Sequence, residues 1–172
     1  MSQTFTKKIY IAGPDVFEKD SILIGERLVE LCHKYGYEGL YPLDNVVNFK
    51  QEKHKIALDI YSANVAMIDE ADYVIANLNS FRGKEADSGT VWECGYAFAK
   101  GKKVYAYMER EGSYLDQFES KKEEGGMFFD VDGKFIEDFN HPINLMLACS
   151  CTKIVHGTFE ETLKELFTEQ SV

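Results

Sequence analysis

Glu93 lies in the run Asp87-Ser88-Gly89-Thr90-Val91-Trp92-Glu93-Cys94-Gly95-Tyr96-Ala97, a single carboxylate among apolar and small neighbours. A carboxylate in such surroundings must be desolvated, partnered or used, because an isolated buried charge is strongly unfavourable. On the early turns of a helix beside a cleft, it would serve as a nucleophile toward a sugar carbon. The plainer reading is an exposed helical glutamate. Against that reading stand Trp92, Tyr96 and Phe98, which crowd the segment, and Gly95 and Ala97, which permit close backbone packing. Asp87 belongs at or just before the start of the same helix. Its carboxylate can accept there from free backbone N–H groups. It is either a cap alone or a cap that also meets a ligand.

Other chemistries find little support. Gly13-Pro14 is too short for a dinucleotide fingerprint, and neither GxGxxG nor a Walker loop occurs. Cys32, Cys94, Cys149 and Cys151 form no CxxC pair, so packed, reduced thiols are expected. His33, His54, His141 and His156 are scattered and form no HExxH pattern. No metal or cofactor is expected.

The chain has 172 residues, 45% of them hydrophobic, which suits one globular domain. A domain of this size buries enough surface to be stable without disulfides or metals. The net charge of -10 argues against nucleic acid and anionic membranes as partners, while small neutral substrates stay open. No apolar run approaches the ~20 residues of a membrane span. The first residues, Met1 to Lys8, carry no apolar signal region, so a cytoplasmic location is expected.

The elements that must hold Glu93 can be read from patterning. Lys8 to Ala12, Tyr37 to Tyr41, Tyr73 to Leu78, Lys103 to Tyr107 and Thr152 to Val155 read as strands. Tyr73 to Leu78 is apolar enough to be central and covered on both faces. Helical spacing covers Ile22 to Tyr35, where Ile22, Leu23, Leu28, Leu31 and Cys32 share one face. Gln51 to Glu70 is a second helix, with Ile56, Ile60, Val65 and Ile68 inward. A third runs from Ser88 to Lys100 and stops at Gly101, and a fourth, Thr158 to Thr168, presents Phe159, Leu163, Leu166 and Phe167. Strands alternating with helices predict a flavodoxin-like, doubly wound parallel sheet of about five strands, with helices on both faces.

The alternation breaks between Glu109 and His141. This 109–141 insert reads as loop with one hairpin, Phe128 to Ile136, turned at Asp132-Gly133. It is a lid, an oligomer contact or a plain surface loop. In open α/β sheets ligands bind beyond the strand carboxyl ends, where strand order reverses. Here that places a site between the loop Gly13 to Phe17 and the loop Asn79 to Asp87, the second of which leads into the helix of Glu93.

Four motifs, in order, resemble the nucleoside 2-deoxyribosyltransferase family: Tyr10-Ile11-Ala12-Gly13-Pro14-Asp15-Val16-Phe17, Tyr41-Pro42-Leu43-Asp44-Asn45, Asp87 with Glu93-Cys94-Gly95-Tyr96-Ala97, and Pro142-Ile143-Asn144-Leu145-Met146. Ser80-Phe81-Arg82-Gly83 is similar to one branch of it. The resemblance implies transfer of 2-deoxyribose between nucleobases, with deoxynucleosides and free bases as partners and no cofactor. It implies Glu93 as nucleophile, Asp87 at the sugar 5′-hydroxyl and Tyr10 against the nucleophile. It also places Gly13, Phe17, Asp44 and Asn64 at the substrate. Asn144 and Met146 would complete a neighbouring subunit's pocket, which implies a homo-oligomer.

One position departs from the family pattern. Many relatives carry an aspartate eight residues before the aspartate that opens the third strand, and it handles the leaving base's proton. Here the opening residue is Asp72 and the earlier position is Asn64. An amide cannot donate an acidic proton, so Asn64 is expected to hydrogen-bond the base while water or another acid protonates it. Two rival readings remain: a deoxynucleoside 5′-monophosphate N-glycosidase, and a non-catalytic flavodoxin-like nucleoside-binding module.

Overall fold

The structure is a computed structural model that describes residues 7–44, 50–123 and 125–170, with only the backbone at Asp44. Five parallel strands form the main sheet: β1 (Lys8–Ala12), β2 (Glu38–Leu40), β3 (Tyr73–Asn77), β4 (Lys103–Met108) and, after a second small sheet, β8 (Lys153–His156). Their spatial order is β2-β1-β3-β4-β8. This is the flavodoxin-like order expected from the alternating pattern, and it reverses between β1 and β3.

Period-two alternation sends each strand's side chains to opposite layers. Tyr10, Ala12, Val74, Ala76, Val104 and Ala106 pack on one face with Ile68, Cys94, Ala97 and Leu147. Those partners come from α2 (Lys53–Glu70), α3 (Ser88–Ala99) and α4 (Leu145–Ser150). Ile9, Ile11, Tyr73, Ile75, Tyr105 and Tyr107 point the other way, onto Leu28, Cys32, Phe159, Leu163 and Leu166. Those belong to α1 (Ser21–Lys34) and α5 (Phe159–Gln170). Every residue of β3 is buried, as expected for a central strand under helices on both faces.

Several local readings change. Ile22 and Leu23, in the first turn of α1, are exposed, and Ile22 lines a cavity rather than the core. Ile60 and Phe167 are also exposed; of α2 only Ile68 is fully buried, since the helix runs past the edge of the core. The 109–141 insert holds three antiparallel strands, not one hairpin: β5 (Ser120–Lys122), β6 (Phe128–Asp130) and β7 (Phe135–Ile136). The β6–β7 hairpin forms as expected, with Phe129 opposite Phe135 and Gly133 at φ 76. The charged Ser120-Lys121-Lys122 edge gave no apolar alternation to mark β5. Helix α4 follows the Pro142 motif and was not anticipated; six residues are too few to show a helical period.

Gly25 of α1 sits directly against the Tyr41 ring just after β2. A Cβ there would overlap two ring atoms of the buried Tyr41. Alanine brings up to about 1 kcal/mol of helix propensity, but overpacking costs about 1–3 kcal/mol. Gly25→Ala is therefore expected to lower Tm by several degrees in thermal unfolding. A Tm equal to or above wild type contradicts this packing.

Candidate active site

Helix α3 begins where its sequence supplies a cap. The Asp87 Oδ2 accepts from the Thr90 backbone N–H at 2.9 Å and from the Thr90 hydroxyl at 3.0 Å. Asp87 is thus an N-cap, and the buried Thr90 hydroxyl has its partner. Thr90, Cys94 and Ala97 form the buried stripe of the helix. Glu93 stands beside that stripe, half-buried, facing the sheet where Tyr10 crosses.

The Tyr10 hydroxyl donates to Glu93 Oε1 at 2.6 Å. Tyr10 has no solvent exposure. Burial pushes the Glu93 carboxyl up to about 7; the Tyr10 hydrogen bond pulls it back, the Asp87 charge raises it, and the Asn64 amide lowers it. The Tyr10 phenol is itself driven far up by burial and by the neighbouring Glu93 charge. Both groups are stabilised in their neutral forms by the dry site, and the hydrogen bond is what favours the ionised carboxylate.

A cavity of about 520 Å³ opens over Glu93. Asp87, Gly89, Thr90 and Glu93 line its polar end; Gly13, Val16, Phe17, Pro42, Leu43, Ile60 and Asn64 are among the rest of its wall. Gly13 is fixed by space rather than by φ. A Cβ there would approach the Asn77 Cβ to 2.9 Å and crowd the Asp15 carboxylate. Asp15 accepts from the Asn77 amide at 2.9 Å, which ties the turn carrying Phe17 to the end of β3. Asn64 Oδ1 is buried with no hydrogen-bond partner among the described residues. The Asp44 side chain lies outside the described residues.

The site thus gathers Tyr10, Gly13, Phe17, Asn64, Asp87 and Glu93 around one cavity, at the point where strand order reverses. Asn144 and Met146 line a different cavity of about 450 Å³, between α3 and α4. Asn144 caps α4 by accepting from Met146 N–H at 3.0 Å, and its amide donates to Glu137 at 2.7 Å. Sequence patterning missed Ser21, Ile22, Leu43 and Ile60 as wall residues. Ile22 and Ile60 did leave a signal, as apolar residues at helix positions that the core does not use.

The crowding around Glu93 has another source than expected. Trp92 (45% exposed) and Phe98 (56% exposed) face outward, and Trp92 stacks on Tyr96 at 5.2 Å. Gly95 does not permit close packing, since a Cβ there meets nothing within 4 Å. Tyr10, packed in the sheet, covers one side of the carboxylate instead.

The raised Glu93 pKa makes a stability prediction. Its folded pKa of about 7 lies above the ordinary glutamate value of 4.5, so the folded state holds the proton more tightly. Stability from this group is present at low pH and is lost as pH rises toward 7, by on the order of 3 kcal/mol. Glu93→Gln removes that loss. Denaturant unfolding is expected to show the variant more stable than wild type at pH 8 and nearly equal to it at pH 5. Equal stability at both pH values refutes the desolvated carboxylate.

Comparison with known proteins agrees with this geometry. A 2-desoxiribosyltransferase from Leishmania mexicana superposes with a TM-score of 0.75 and 30% identity, over 96% of this chain and 99% of that one. A 2-deoxyribosyltransferase from Bacillus psychrosaccharolyticus gives 0.59 at 18% identity, over 91% of this chain and 90% of its own, and so shares the fold. A Schizosaccharomyces pombe protein described as uncharacterized is 27% identical over 119 residues, 67% of this chain. The chain spans little more than half, 56%, of that relative's length. The family model described as nucleoside 2-deoxyribosyltransferase matches residues 9–146, from the Tyr10 strand through Glu93 to Met146. The chain belongs to the nucleoside 2-deoxyribosyltransferase family.

Proposed function

We propose that this protein transfers 2-deoxyribose from a deoxynucleoside to a free nucleobase through an ester on Glu93. The observation that carries the reading is the desolvated Glu93 carboxylate, bonded by Tyr10 and set in a cavity with Asp87. Tyr10 occupies Oε1, and Oε2 makes the attack. The Oε2–C1′ bond forms as the C1′–N bond breaks; the base leaves with the bonding pair and takes a proton from water. The transition state carries oxocarbenium charge, which the carboxylate stabilises. A second base then attacks C1′ through a ring nitrogen and loses its N–H proton to water, the glutamate departs as carboxylate, and two inversions give net retention.

Asp87 binds the sugar 5′-hydroxyl. Its Oδ2 is taken by Thr90, and Oδ1 accepts from the hydroxyl. A 5′-phosphate would place like charges together, at about 4 kcal/mol per unit pair at ~4 Å and a dielectric of 20. This weighs against the monophosphate glycosidase reading. Asn64 hydrogen-bonds the base from the cavity wall, and no metal or cofactor takes part. The exposed Met146 and Phe98 beside the second cavity support a homo-oligomer, in which Asn144 and Met146 reach a neighbour's site.

Deoxyinosine with adenine is expected to give deoxyadenosine, and Glu93→Ala is expected to abolish the exchange while remaining folded. In kcat/KM the rate rises with pH through about 7, as Glu93 ionises. Tyr10→Phe removes a hydrogen bond to the charged form, worth about 1.5–3 kcal/mol, and moves that limb up by about one to two pH units. Asp87→Asn keeps a capping side chain, removes the repelling charge and moves the limb down. Limbs that do not shift in these opposite senses overturn the assignment, as does faster turnover of deoxynucleoside 5′-monophosphates than of deoxynucleosides.

A further inference from the structure

The loop after β3 carries a contact that this mechanism leaves unused. The Phe81 ring stacks on Phe17 with centroids 5.4 Å apart and planes 20° from parallel. The Arg82 guanidinium lies over both rings, 4.6 Å from the Phe81 centroid and 5.3 Å from that of Phe17. Phe17 is a wall of the Glu93 cavity, yet 57% of it is exposed. A half-open ring on a surface turn has few neighbours to fix its plane, and here Phe81 and Arg82 supply them.

Two further observations show that the placement is built rather than incidental. Arg82 has φ 51, a left-handed backbone that side chains other than Gly, Asn and Asp seldom adopt. Strain of this kind persists only where the surroundings over-determine it. The surroundings are the 109–141 insert. Phe81 N–H bonds Glu85 O at 2.8 Å and closes the loop. Lys84 Nζ donates to Gln117 O at 2.6 Å and lies 4.8 Å from the Phe118 centroid. The Tyr114 hydroxyl donates to Glu85 at 2.5 Å. The insert therefore acts as a buttress for this loop.

We propose that Phe81 and Arg82 are positioning residues that hold the Phe17 ring as the stacking platform for the nucleobase, with Arg82 setting its plane. The inference rests on the proposed reaction, since it names where that reaction's planar heterocycle sits. With sugar at the Asp87 and Glu93 end of the cavity, the base extends toward the wall that includes Phe17. A π face accepts any base, so the platform sets affinity without reading base edges. A guanidinium holds it because it is planar and stacks, whereas an ammonium is a point charge.

The test is steady-state exchange from deoxyinosine to adenine, paired with calorimetric binding of deoxyinosine to proteins that also carry Glu93→Ala. Arg82→Ala and Phe81→Ala are expected to raise KM and Kd about five- to tenfold, with kcat within about twofold. Arg82→Lys is expected to match Arg82→Ala. Both positions are on the loop after β3, and unchanged thermal unfolding checks that each variant folds. Unchanged KM and Kd overturn the platform, as does a fall in kcat alone, or full rescue by lysine. If wild type performs no exchange while the binding losses appear as stated, the proposed reaction fails and the platform stands.

Discussion

The Glu93 carboxylate is kept from water and given one strong donor, the Tyr10 hydroxyl. That balance governs the architecture around it. Desolvation alone would leave the group protonated and inert; full solvation would leave it ionised and unreactive. Tyr10 comes from β1, next to the central strand, and Glu93 from the helix that covers that face of the sheet. Moving either element by a fraction of its packing distance breaks the 2.6 Å bond. The doubly wound sheet therefore serves to fix one distance, between a phenol on a strand and a carboxylate on a helix.

The same arrangement works against stability. Asp87 is needed to start α3, yet its charge raises the Glu93 pKa further. Burial of an ionisable group and proximity of like charges both disfavour the ionised fold. The sheet compensates with interdigitated apolar layers on both faces, in which Tyr10 itself is counted. Tyr10 thus belongs to both core and candidate site: its ring packs while its hydroxyl bonds Glu93.

Much of this was legible in the sequence, for definable reasons. Strand–helix alternation fixes the fold class, and strand-order reversal then selects which two loops flank a site. Asp87 was readable as a cap because short side-chain acceptors at helix starts have one obvious use. The environment of Glu93 was misread, because Trp92, Phe98 and Gly95 adjoin it in sequence while the helix turns them elsewhere. Its real neighbour, Tyr10, is 83 positions away. Patterning also could not see β5, whose charged residues lack alternation, or the short α4. Ile22 and Ile60 looked like core because cavity walls and cores use the same apolar residues.

The insert, read first as a lid, an oligomer contact or a plain loop, contacts the loop 79–87 through Lys84 and Glu85. The same loop reaches the cavity wall through the stack of Phe81 on Phe17. Trapping probes Glu93 itself. Wild-type enzyme is incubated with a 2-fluorinated arabinosyl nucleoside, whose electron-poor sugar slows ester breakdown, and the protein is digested for mass mapping. One fluorosugar adduct is expected, on Glu93. An adduct on another side chain, or steady base release with no adduct at all, contradicts it.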